Sequence, residues 1–552
     1  MGWFKKIFFA LTRQERIAFI FGAVAVVVSF VVVITMVFSR ITMAVPAAGG
    51  EYTEGIVGQP EYVNPVIASS QTDNDLVKMV YASLADLAQS ASSSPDKRTW
   101  NVRLKENLSW QDGQKLTSDD VIFTVQKIQD EDANSPLAQS WQGVAVSRVS
   151  ELEVQFNLAN SYAFFGDNIK NLYILPKHLF VDAPVGNWRL SDYNLKPIGS
   201  GPYKFSSYQK NASGFITSYN LEAWNGYSGT KPLIQNFDLH FFSDENTLVQ
   251  SFNNGQIDGF GDVSPEDISA INRPYDLFAW RTSGYYAAFF NQSKNIALQD
   301  ASVRKALSAA VDRDALINAA LGGKGVPEFG PIPEGAASFS ASSTAATATT
   351  SADYASSLLD NAGWTKDPTT GFRSKTIQKS VIPLVINITV PQIDFLAKTA
   401  DFLRDAWAAI GVQTNVILDS PENIIANQIK TRGYEVLLFG NVLGPSSDLY
   451  SFWDSSERFA PGLNLAIYNN NKADSLIQTA RQNVDDASRE SQFSAVQGII
   501  AADYPAVFLY SSDYVYITNK NVQGITPDFL TDSSDRFREI PQWYLNTARV
   551  LK

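Results

Sequence analysis

Side chains able to move protons or attack a carbonyl are few in this 552-residue chain and poorly spaced for either task. Cysteine is absent, which removes thiolate nucleophiles, disulfides and cysteine-ligated metal sites. Histidine occurs twice. His240 sits in Phe237–Phe242, alternating with apolar neighbours as a strand residue does, and His178 follows Leu175-Pro176-Lys177. Two isolated histidines do not make a transition-metal cage. Ser302-Val303-Arg304-Lys305 has the S-x-x-K spacing of penicillin-interacting enzymes, without the K-T-G or S-D-N companions. Gly322-Gly323-Lys324-Gly325 lacks a following Ser or Thr and a strand directly before it, so it is no phosphate loop. Asp119-Asp120 and Asp485-Asp486 read as cap and solvated-face residues, with nothing to mark a glycosidase pair. The expectation is a protein that binds, with no catalysis, cofactor or metal of its own.

Composition bounds what is bound. Hydrophobic content of 45% with 12% aromatics is that of a folded chain, long enough for several core-bearing lobes. The net charge of −12 argues against a nucleic-acid partner, whose phosphates demand a basic face. Near the start, Ile17–Phe38 carries no charge. At about 1.5 Å per residue a helix of that length spans a hydrocarbon core of roughly 30 Å. Lys5, Lys6, Arg13 and Arg16 precede it and only Arg40 follows closely, which places the preceding end in the cytoplasm. A secretory signal has a shorter apolar core, about 7–15 residues. Small residues at Ala44–Gly50 offer a cleavage site, yet the length favours a retained anchor.

The elements that follow alternate in type. Asp112-Gly113 is a hairpin turn signal. Thr117 with Asp120 three residues on forms an N-cap pattern opening Val121–Ile128. Gly199-Ser200-Gly201-Pro202 is a turn feeding the aromatic strand Tyr203-Lys204-Phe205. Asp73–Leu87 has helical spacing, Ser90–Asp96 is a Ser-rich break, and Ala337–Ser351 is a low-complexity Ala/Ser/Thr loop. Asp394–Ile410 is an amphipathic helix closed by Gly411. Lys398 and Arg404 lie on it, expected to face solvent.

Taken in order, Trp110–Val121 (WQDGQKLTSDDV), Pro197–Phe205 (PIGSGPYKF), Ser302–Ile317 (SVRKALSAAVDRDALI), Tyr354–Trp364 (YASSLLDNAGW) and the tail from Tyr468-Asn469-Asn470 to Ala502–Leu509 resemble the extracytoplasmic solute-binding proteins of family 5. These are oligopeptide-, dipeptide- and nickel-binding receptors of ABC transporters. The resemblance implies an α/β, periplasmic-binding-protein-like fold of two lobes with a cleft, cluster C, with an extra subdomain in the first lobe and one N-terminal transmembrane helix before it. It implies a basic segment over 1–16, an anchor over 17–38 and a tether over 39–50. A first lobe over 51–280, with an insert at about 77–190, is followed by a second lobe over 281–505 and a return over 506–552. The expected activity is hinge closure around a solute, most plainly an oligopeptide, and delivery to the membrane permease subunits of an importer. The same fold also serves nickel chelates, haem or oligosaccharides, and non-transport sensing. The lipid bilayer is the remaining partner, through Ile17–Phe38, with the large C-terminal part extracytoplasmic.

In peptide-binding relatives the stretch matching Leu438–Trp453 lines the cleft, and an Asp there pairs with the ligand's α-amino group. Alignment on Pro445 puts Asn441 at that Asp, which withdraws the charge from the contact. Either Asp448 takes over, or the ligand lacks a free amine. The resemblance therefore nominates Asn441, Val442, Leu443, Gly444, Asp448 and Trp453 as ligand-binding residues. Tyr285 and Tyr286, at the start of the crossing strand, join them, with one facing the cleft and the other packing.

Overall fold

The computed structural model describes residues 12–336, 350–444, 446–526 and 529–551. Lys5, Lys6, Pro445 and nearly all of the Ala337–Ser351 loop lie outside the described residues.

Two sheets organise the molecule. Along the chain their strands are Glu51–Val57 (β1), Tyr203–Lys210 (β2), Ile216–Ala223 (β3), Asn236–Phe242 (β4), Gly259–Gly261 (β5), Asp276–Thr282 (β6), Gly284–Phe290 (β7), Gly325–Pro327 (β8), Val385–Pro391 (β9), Gln413–Asp419 (β10), Val436–Val442 (β11), Ala506–Ser512 (β12), Tyr514–Thr518 (β13) and Phe529–Leu530 (β14). The first sheet has eight strands in the order β14-β6-β13-β5-β1-β4-β3-β2, the second six in the order β8-β12-β7-β11-β9-β10. Their centres, β1 and β7, are buried on both faces, so their sequences read as continuous buried runs and not as alternation. The second sheet separates two apolar cores: Ala288 and Phe290 face one, Tyr285, Ala287 and Phe289 the other.

The chain crosses between the sheets twice, from β6 to β7 through Ser283 and from β12 to β13 through Asp513. The crossings run side by side. Thr282 Oγ1 donates to the Ser512 carbonyl (3.1 Å), and Arg281 pairs with Asp513 (3.5 Å). Both crossings lie later than expected. β6 stays in the first sheet through Thr282, and Ala506–Ser512 belongs to the second sheet, so the return begins at Asp513 and not at 506. A strand buried on both faces carries no mark of the sheet it joins.

The two diagnostic motifs grip each other. Gln111 accepts from the Gly199 amide through Oε1 (2.9 Å), and its own amide donates to the Gly199 carbonyl (2.9 Å). Its Nε2 donates to the Tyr203 carbonyl (2.8 Å). Gly199 and Gly201 are required by contact: a Cβ on Gly199 would stand 1.9 Å from the Val80 carbonyl oxygen. Thr117 and Asp120 form the reciprocal capping box over Ser118–Ile128.

Three local expectations change. Ala88–Ser93 is an edge strand of a four-stranded sheet, not a break, its serines facing solvent. The Asp73–Leu87 periodicity spans two helices, Gln71–Val80 and Leu84–Leu87, parted where Ser83 caps the second. The Ser302–Ile317 motif likewise spans two helices, Ala301–Ala309 and Arg313–Leu321, parted where Asp312 caps the second.

At the front, a helix runs over Arg13–Ile41, with a continuous apolar stretch through Val37. The expected tether is not a free linker: Thr42–Ala47 pairs antiparallel with Asn546–Leu551 near the chain's other end.

Candidate ligand-binding cleft

The facing ends of the two sheets enclose a cavity of about 480 Å³, within the usual range for small-molecule sites. The second sheet contributes Tyr285, Tyr286, Pro391, Gly440, Asn441 and Val442, joined by Ile393 and Leu396 from the adjoining helix. The other wall is Gln71 with Leu530, Thr531, Asp532 and Ser533, and the floor is the crossing itself, Thr282, Gly284 and Ser512. Apolar surface dominates, interrupted by hydroxyls, amides, backbone and the Asp532 carboxylate.

β11 reaches this cavity with one side unpaired. Its antiparallel ladder with β7 continues from Val436 to Val442, whereas its parallel pairing with β9 covers only Val436 and Leu437. β9 ends at Pro391, and the chain turns into the helix Asp394–Ala409. Among the described residues no strand pairs with that side of β11 beyond Leu437, so the backbone of Leu438–Val442 presents a free edge.

The nominated residues divide between the wall and what stands behind it. Tyr286 lies at the cavity and stacks edge-on to Phe395 (5.2 Å). Tyr285 borders the cavity but is wholly buried; its hydroxyl oxygen accepts from Asn441 Nδ2 (2.9 Å) and Trp453 Nε1 (3.1 Å). Burial raises both phenol pKa values, Tyr286 to about 12, so both stay neutral. Asn441 is only 4% exposed, its amide directed at the tyrosine. Val442 is 61% exposed at the mouth. Leu443 is buried and its amide donates to the Ser283 carbonyl (3.2 Å), fastening β11 to the crossing. Gly444 turns the chain at φ 69°. Trp453 lies in the core against Phe289, Phe508 and Tyr468.

Asp448 stands apart from the cavity. Its carboxylate accepts from Arg481 Nε (2.9 Å) and the Tyr162 hydroxyl (3.2 Å). The motif alignment gave no reason to single out Gln71, Thr531, Asp532 or Ser533, because they come from segments 460 residues apart that only the fold unites. Asp532 caps the turn Ser533–Phe537 and lies 3.6 Å from Lys78.

The remaining chemistry of the sequence falls elsewhere. His178 pairs with Asp112 at 2.8 Å. His240 is half-buried in β4, where burial lowers its pKa. Among the described residues no group of three or more His, Cys, Asp or Glu is placed to hold a metal ion. Lys398 does not simply face solvent: it pairs with Asp394 (2.8 Å) and with Glu266 across the gap between the lobes.

Comparison with known proteins places this architecture. The family model for bacterial extracellular solute-binding proteins, family 5 Middle, matches residues 84–459. The oligopeptide-binding protein AppA of Bacillus subtilis is 25% identical over 506 residues, covering 87% of this chain and 89% of AppA. The crystal structure of the ABC transporter substrate-binding protein CtaP of Listeria monocytogenes superposes with a TM-score of 0.77 at 26% identity, over 90% of this chain and 99% of that one. AppA in complex with a nonapeptide gives a TM-score of 0.71 at 22% identity, over 91% of this chain and all of that one.

Proposed function

The chain belongs to the bacterial extracellular solute-binding proteins of family 5, and from that membership we propose that it is the oligopeptide receptor of an ABC importer, held at the outer face of the cell membrane by Arg13–Ile41. The family consists of receptors, so the task of the site is to hold and release. The first lobe comprises the eight-stranded sheet with its four-stranded annex, and the second the six-stranded sheet, hinged at Ser283 and Asp513. A ligand touching both walls binds the closed state more strongly and shifts the population toward it. The closed form then docks on the permease subunits.

What supports a peptide over other solutes is the free edge of β11. An extended peptide completes such an edge through its backbone, so affinity comes from groups every peptide shares. Neutral tyrosines and apolar side chains then accept varied residues. The relative AppA, an oligopeptide-binding protein by name, fits this reading. The placement of Tyr285, Tyr286, Asn441 and Val442 around the cavity supports their role as its second-lobe wall, with Trp453 and Leu443 behind.

The test is calorimetry of the full-length protein in detergent micelles against tri- to pentapeptides and their N-methylated counterparts. Micromolar binding of the plain peptides, lost on backbone methylation, is expected. Equal binding of both sets would remove the strand-pairing mode.

A further inference from the structure

We infer that Asp262 is the cleft's receptor for a cationic nitrogen of the ligand, an ammonium or guanidinium. The inference rests on the reading of the cleft as a solute site and adds the charge of its guest.

Asp262 directly follows β5, at φ 61°. It lines a side cavity of about 80 Å³ together with Glu245, Asp267 and Arg536. Gln71 borders both this space and the main cavity. The carboxylate reaches solvent there, and its field extends to Tyr286 on the opposite lobe, whose phenol it helps keep protonated. Among the described residues no group hydrogen-bonds it.

Arg536 offsets part of its charge without bonding to it. Arg536, the cation beside it, grips Asp75 through both terminal nitrogens (2.8 and 2.6 Å) and turns Nε toward Glu54 (3.4 Å). Lys78 is held by Asp535 at 2.6 Å, Arg281 by Asp513 at 3.5 Å, and Lys398 by Asp394 and Glu266. Arg536, the one basic residue among those lining the two cavities, is thus engaged elsewhere, while Glu245 and Asp267 add negative charge next to Asp262. A ligand cation there gains a charge-assisted bond and offsets the negative charge that Asp262, Glu245 and Asp267 gather on this wall. Asn441, neutral and turned to Tyr285, does not compete for it.

The test uses the full-length protein in detergent micelles, wild type and Asp262→Asn, with four probes read by calorimetry. These are trialanine, N-acetyl-trialanine amide, N-acetyl-Ala-Lys-Ala amide and butane-1,4-diamine. Asn keeps the shape and tolerates the left-handed backbone. Expected is at least about tenfold tighter binding of a cationic probe than of N-acetyl-trialanine amide, a preference that Asp262→Asn abolishes without changing the neutral affinity. Trialanine alone gaining the preference identifies an amino terminus, and the lysine peptide alone a side chain. Binding of the diamine only would remove the peptide reading and keep Asp262's role. Neutral and cationic peptides bound equally, a preference surviving Asp262→Asn, or no cation bound at all would each overturn the inference.

Discussion

Tyr162 and Asp448 lie 286 positions apart, and the phenol donates to the carboxylate at 3.2 Å. Tyr162 comes from the segment carrying the four-stranded annex of the first lobe, Asp448 from the loop after β11, so the bond ties the lobes together on the outside of the cleft. Arg481 completes the clasp: its Nε donates to Asp448 (2.9 Å), its guanidinium lies over Tyr450 (4.2 Å), and its carbonyl accepts from the Ala163 amide (2.7 Å). The carboxylate that the motif offered as a substitute amine receptor is therefore engaged in holding the halves together.

A prediction separates the two roles. Asp448→Asn weakens a charge-assisted bond of about 1–2 kcal/mol, which loosens the closed state by about five- to thirtyfold. Affinity for every ligand falls by the same factor, N-blocked peptides included. A loss confined to free-amine peptides, measured by calorimetry, would return Asp448 to the ligand.

Asn441→Asp is expected to destabilise and not to sharpen amine recognition. The side chain is almost fully enclosed and directed at Tyr285, so the new carboxylate would enter the wall without a cation beside it. Tyr285 can turn its proton toward the carboxylate and limit the cost. A loss of about 1–3 kcal/mol in urea unfolding is expected at pH 8, shrinking at pH 5 as the new acid takes a proton. Unchanged stability together with tighter free-amine binding would place residue 441 in contact with ligand.

These two residues show what the sequence discloses and what it withholds. The motifs identified the family because their residues hold the first lobe together: Gln111 locks onto Gly199 and Tyr203, and none of the three lines the main cavity. The Thr117 capping box and the Gly411 helix end were legible for a local reason, since backbone orphans within one turn dictate the side chain. The return crossing lies seven residues beyond the expected 506, because β12 and β13 are both buried runs and only long-range pairing assigns them to different sheets. Asp262 left no trace in the sequence at all: a lone Asp after Gly261 reads as a turn, and its lack of a partner is visible only when Arg536 is seen to be taken.

Glu328 predicts a pH dependence. Its carboxyl is 4% exposed beside the second crossing, accepting from Ser511 Oγ (2.9 Å) and the Glu334 amide (3.1 Å). Burial lifts its pKa from 4.5 to about 7, with Glu334 adding to the rise while those hydrogen bonds and Arg281 oppose it. The folded state holds this proton more tightly than the unfolded one, so the group favours folding at low pH. That contribution is lost as pH rises from about 4.5 through 7. The integrated effect is about 3 kcal/mol. Glu328→Gln should flatten this window and stabilise the protein at pH 8; parallel stability–pH curves for the two proteins would show that Glu328 titrates alike in both states.

The ribbon of Thr42–Ala47 and Asn546–Leu551 makes a last prediction. The helix Arg13–Ile41 passes into this strand without a linker, so the body is fastened to the apolar helix by strand pairing with its own C-terminal segment. Six residues in register, Thr42 opposite Leu551 through Ala47 opposite Asn546, protect a stretch whose small residues would otherwise suit a protease. The ribbon is a two-stranded sheet apart from the larger ones, and an isolated pair of strands has little stability of its own. Deleting residues 546–552 should therefore leave the melting temperature of the body within a few degrees of wild type while exposing Thr42–Gly50. Limited proteolysis of the full-length protein in micelles reads this directly: cleavage in that stretch should accelerate at least about tenfold on deletion, releasing a soluble body. Equal cleavage rates with and without the C-terminal segment would mean that the ribbon does not hold in solution, and that the apolar helix meets the body through a free linker after all.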